Sequence, residues 1–106
     1  FRALDRPRGL GGFLGYLAEL DARTGRHTDA SARFEEAADV LRRVEDAVAL
    51  GVVLANQAAH LQRTGATGAA VAALAEAREI AERVEASPAS ELGQAIARAA
   101  GRLEGA

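Results

Sequence analysis

Apolar residues recur at three- and four-residue spacings along most of the chain. Leu50, Val53, Leu54, Ala58 and Leu61 form one series, and Val71, Leu74, Ala77, Ala81 and Val84 form another. This is the period of an α-helix that buries one face. No stretch alternates at period two, so strands are not expected. Gly65, between the two series, is placed to take the left-handed conformation past a helix end, which a residue with a Cβ resists. Thr67 then offers a hydroxyl as N-cap of the following helix. An earlier pair reads the same way, with Gly25 as the stop and Thr28 as the N-cap. Ser87 followed by Pro88 predicts a cap and first turn for a last helix. The short connections make neighbouring helices antiparallel.

The pattern also repeats. Displacing the chain by forty residues sets Arg2 on Arg42, Leu4 on Val44, Leu10 on Leu50, Leu14 on Leu54 and Ala18 on Ala58. Arg23-Thr24-Gly25 falls on Arg63-Thr64-Gly65, followed by Ala30 on Ala70, Phe34 on Leu74, Ala37 on Ala77 and Val40 on Ile80. A third copy starts at Val84 and slips by two residues around Pro88, after which Leu92, Ile96, Ala100 and Leu103 match Leu50, Leu54, Ala58 and Leu61. The expectation is one all-α domain of antiparallel helix hairpins, about five helices in residues 1–106. Residues 1–8 read as the tail of a preceding helix, 9–46 as a first repeat, 47–86 as a second and 87–106 as a closing helix. The array looks cut at both ends. That predicts either a piece of a longer protein or a homodimer through exposed terminal helix faces.

Composition refines this picture. Alanine dominates the apolar share and only four aromatic residues are present, which favours closely packed helices. All thirteen basic residues are arginine, interleaved with fifteen acids for a net charge of −2. No basic stripe runs along the sequence, so direct nucleic-acid binding is not expected. Cysteine is absent, which excludes disulfides and thiolate metal sites. No apolar run is long enough to span a membrane and no signal peptide is visible, so the cytoplasm is the expected compartment.

The order Leu54, Ala58, Gly65, Ala70, Leu74, Ala77 resembles the tetratricopeptide repeat, with a small residue in helix A, glycine at the turn and alanine–large–alanine in helix B. The first copy shows it as Leu14, Leu17, Ala18, Gly25, Ala30, Phe34, Ala37. The period exceeds the usual length of about thirty-four residues. It is similar to the long-period variant of kinesin light chains and of sensor arrays in bacterial signalling ATPases and transcription regulators. Leu54-Ala55-Asn56-Gln57-Ala58 is similar to the Leu-Asn-Asn-Leu-Ala run of that variant.

The resemblance implies a right-handed superhelix whose A helices line a concave groove for a peptide or protein. Carried over by position, the groove would be lined by Tyr16, Glu19 and Arg23, by Asn56, Ala59, Gln62 and Arg63, and by Gln94 and Arg98. An amide at Asn56 offers both a donor and an acceptor to a partner's backbone. Arg98 sits where a clamp for a C-terminal carboxylate carries a base. Gly15, Glu19 and Gln94 break the rest of that clamp, so none is expected. Arg23 and Arg63 also suit the negative ends of their helices.

Other chemistry finds no footing. His27 and His60 are far apart in sequence and lack metal-ligand spacing, so no metal site is expected. Gly9, Gly11, Gly12 and Gly15 do not have the spacing of a dinucleotide loop, and no strand precedes them; close helix approach or a loose helix start explains them better. Glu35-Glu36 and Glu76-Glu79 read as solvated helix faces, with Arg83 four residues after Glu79. Ser31, Ser87 and Ser90 have no activating base at a suggestive spacing. The expectation is a non-enzymatic protein–protein interaction module without a cofactor. The alternative is a structural or regulatory spacer within a larger bacterial sensor or transcription regulator.

Overall fold

The computed structural model describes residues 7–104. Among these, five α-helices follow one another with no strand: α1 (Pro7–Arg23), α2 (His27–Arg43), α3 (Ala47–Arg63), α4 (Thr67–Arg83) and α5 (Glu91–Glu104). Helices α1 and α3 begin and end forty residues apart, as do α2 and α4, so the sequence repeat is a repeat of helix pairs. Most of the tail expected at 1–8 lies outside the described residues; Pro7 and Arg8 already belong to α1.

Four successive helices end in the same way. At Gly25, Glu45, Gly65 and Glu85 the backbone turns left-handed, with φ of 85°, 57°, 88° and 53°. In each case that residue and the next donate their N–H groups to carbonyls of the last helical turn. Gly65 donates to Gln62 and Ala66 to Leu61, at 3.2 and 2.9 Å. This closes the orphan carbonyls of the helix end. Gly25 and Gly65 therefore act as read from the sequence.

The caps differ from expectation. Helix α2 starts at His27 and α4 at Thr67, with Arg26 and Ala66 at the N-cap positions and no side-chain cap at either. The residue that completes the preceding turn is already the cap of the next helix, so Thr28 and Thr67 fall inside the helices. Ser87 and Pro88 lie in a turn, and α5 begins at Glu91. Its cap is Ser90, whose Oγ accepts from the Gly93 N–H at 3.0 Å. Asp46 caps α3 by accepting from the Ala49 N–H.

Burial follows the repeat. Ala18, Ala30 and Ala37 of the first hairpin and Ala58, Ala70 and Ala77 of the second are all fully buried. Around them pack Phe34, Leu41, Ile80 and Leu92, also buried. Such small side chains at crossing points let helix backbones approach closely. Gly51 extends this: a Cβ there would lie 2.8 Å from Leu92 Cδ1, so its absence seats α5 on α3. Gly11 against Leu41 does the same for α1 and α2. Helix α1 touches α3 and α3 touches α5, whereas α2 and α4 do not meet through their backbones. The A helices thus form one continuous layer, while the B helices splay apart.

Candidate functional site

The layer of A helices carries a cleft of about 320 Å³. Its walls are Glu19 and Arg23 from α1, Asn56, Ala59 and Arg63 from α3, and Arg98 and Arg102 from α5; Phe34, Ala95 and Ala99 make the floor. Helical spacing accounts for the choice. Glu19 and Arg23 stand four apart on α1, and Arg98 and Arg102 four apart on α5, so each pair shares a face. Asn56 and Arg63 are seven apart, two turns along α3.

Of the residues expected by position in the sequence, Glu19, Arg23, Asn56, Ala59, Arg63 and Arg98 converge here. Tyr16, Gln62 and Gln94 do not line the cleft. Tyr16 is 57% exposed on α1. Gln62 buries its side-chain carbonyl oxygen without a hydrogen-bond partner. Gln94 turns back to donate its Nε2 to the Ala89 carbonyl at 2.9 Å, because the slip at Pro88 brings the turn beside it. Arg102, one turn beyond Arg98 on the same face of α5, lines the cleft as well, though family position alone does not single it out.

Inside the cleft, Asn56 Nδ2 donates to Glu19 Oε2 at 3.2 Å and joins α1 to α3. The amide oxygen of Asn56 remains available as an acceptor. Arg23, Arg63, Arg98 and Arg102 are exposed and make neither an ion pair nor a hydrogen bond among the described residues. Arg33 and Arg42, by contrast, reach Asp21 at 2.8 Å and Glu76 at 2.9 Å.

Beneath the floor lies a histidine that the sequence reading weighed only as a metal ligand. His60 is fully buried, with its ring 5.5 Å from that of Phe34 and 5.7 Å from that of His27. Its Nε2 is hydrogen-bonded to the Ser31 hydroxyl at 3.0 Å, and its Nδ1 is buried without a partner. Burial holds its pKa below the ordinary 6.5, aided by the charges of His27 and Arg63 and opposed by the main chain of His27. The forty-residue register places His60 opposite Leu20, an apolar position, and that mismatch was its visible signal.

Two other depressions carry less chemistry. The larger, about 620 Å³, has described walls from α4 alone: Glu76, Glu79, Glu82 and Arg83. The other lies between the splayed helices α2 and α4, over Leu54 and Leu61 of α3. Among the described residues, no group of three or more His, Cys, Asp or Glu could hold a metal ion. No described helix is long and apolar enough to cross a membrane.

Stacked helix hairpins with a cleft across their first helices define a helical-repeat scaffold. The family model described as tetratricopeptide repeat matches residues 12–83, and the chain belongs to that family. Its repeats generally mediate protein–protein interaction and form a non-catalytic scaffold type. No curated protein and no solved structure matches the chain.

Proposed function

We propose that this chain is a protein–protein interaction module that takes a peptide or partner helix in the cleft of α1, α3 and α5, without catalysis and in the cytoplasm. The observation that carries this reading is the convergence of Glu19, Arg23, Asn56, Arg63 and Arg98, drawn from three helices, on one cleft. The Asn56 amide oxygen is an open acceptor for a backbone N–H, and the arginines supply directional donors on either side. Affinity in such a site rests on a few anchors and not on area alone. The test is selection of peptides from a random library, then their affinity for an Asn56→Ala/Arg63→Ala variant. Loss of binding at an unchanged melting temperature supports the assignment. Equal binding, or a variant that does not fold, sinks it.

A second reading has its own support. Phe13 is 42% exposed, although the repeat places it opposite Val53, which is 6% exposed. In the second copy, that face of the A helix is covered. The face around Phe13 is therefore suited to stack on a further repeat or on a second copy, as in a spacer within a larger sensor protein. Sedimentation equilibrium separates these cases: a monomer at every concentration speaks against self-stacking through α1.

A further inference from the structure

The cleft gathers guanidinium groups that the sequence scatters from Arg23 to Arg102. Four arginines line it against a single carboxylate, Glu19, which is held by the Asn56 amide and not by an arginine. None of the four is paired with an acid among the described residues. The chain as a whole is acidic, with a net charge of −2, so this is a local inversion of sign. Unpaired like charges around one cleft repel, and an anionic ligand relieves that repulsion. The planar guanidinium fork matches carboxylate and phosphate geometry.

We infer that the segment bound in this cleft is acidic, a peptide whose anionic side chains pair with arginines of successive A helices. Glu19 acts as the built-in counter-charge that sets how strongly the anion is favoured. The inference rests on the reading of the cleft as a peptide site. A peptide fits better than a nucleic acid. Phe34 is the aromatic residue of the described lining and is 1% exposed, which leaves no open ring for base stacking. The small side chains of Ala59, Ala95 and Ala99 leave room for ligand side chains. The net negative charge of the chain opposes a long polyanion running past the cleft.

The test is fluorescence anisotropy on the full chain with four labelled probes. They are a peptide of alternating glutamate and serine, its glutamine counterpart, a phosphoserine counterpart, and an oligothymidylate of equal charge. The glutamate peptide is expected to bind, to weaken as salt rises, and to lose about tenfold in affinity with Arg63→Gln/Arg98→Gln. Glu19→Gln keeps an acceptor for Asn56 and is expected to strengthen binding about threefold. Tighter binding of the phosphoserine peptide would identify phosphate as the preferred source of the anion. Circular dichroism checks that each variant folds. Equal affinity for the glutamine peptide, weaker binding with Glu19→Gln, or preference for the oligonucleotide overturns the inference. A neutral peptide bound here and lost with Asn56→Ala/Arg63→Ala would remove the anion while leaving the cleft reading intact. Binding of neither peptide removes both.

Discussion

Ser31 on α2 and His60 on α3 meet at 3.0 Å across the junction between the two hairpins, where the His60 ring also packs against those of Phe34 and His27. Burial there disfavours the protonated imidazole. Protonation places an N–H on both ring nitrogens, and Nδ1 lies buried without a hydrogen-bond partner among the described residues.

A pH dependence follows, with a definite sign. The folded pKa of His60 lies below 6.5 and the unfolded value near it, so the unfolded chain takes up the proton first as pH falls. The contribution of His60 is complete above about pH 6.5 and is lost as pH drops from there toward the folded value. Thermal melts across this window should show a falling Tm in the native chain. His60→Leu, which copies Leu20 of the first repeat, should flatten that slope. A slope that persists unchanged in the variant would assign the effect to other groups. Ser31→Ala, by leaving Nε2 buried and unpaired, should cost about 1–2 kcal/mol.

Glu45 and Glu85 hold the left-handed conformation that Gly25 and Gly65 hold elsewhere. A side chain in that region costs about 1–2 kcal/mol, partly offset by the greater unfolded-state entropy of glycine. Glu45→Gly is therefore expected to stabilise by about 0.5 kcal/mol and Gly65→Ala to destabilise by about 1 kcal/mol. Urea unfolding of the two variants measures both signs, and a Gly65→Ala variant as stable as the native chain would refute this account.

Ser90 and Ser87 separate the observed cap from the one expected. Ser90→Ala removes the bond from the Gly93 N–H and should cost about 1 kcal/mol. The Ser87 hydroxyl has no partner, since only its carbonyl is used, and Ser87→Ala should change little. Chemical denaturation of the pair decides which serine caps α5.

This cap shows where the sequence stopped being legible. The forty-residue register recovered helix type, order and turns, because apolar period and Gly25/Gly65 are local signals. It misplaced Thr28, Thr67 and Ser87, because one tight turn ends a helix and begins the next within the same residues. The cleft was readable in part. Glu19, Arg23, Asn56, Arg63 and Arg98 follow from A-helix position, whereas Gln94 is captured by the Ala89 carbonyl, a contact created by the slip at Pro88. His60 needed its partners on α2 to be seen, since burial is a tertiary fact.

The same slip makes α5 sensitive at Gly93. A Cβ there would fall against the Ser87 carbonyl oxygen and the Pro88 main chain, which no side-chain rotation can relieve. Gly93→Ala should cost about 3 kcal/mol, more than Gly51→Ala, whose Cβ meets the movable end of Leu92. Hydrogen exchange should show α5 losing protection before α1 and α2. Uniform loss across the chain would mean that α5 is not a separately detachable element.

The walls of the cleft are built from arginine in a chain that has no lysine at all. A guanidinium stays protonated at any physiological pH, and without an ε-amine no acetyl or ubiquitin group can be attached to a lysine of this segment. The positive charge of the cleft is thus permanent with respect to both pH and lysine acylation. Any control over what it holds must act on the ligand, on Glu19 or on the arginines themselves, for example by methylation, which spares the charge but blocks the paired hydrogen bonds.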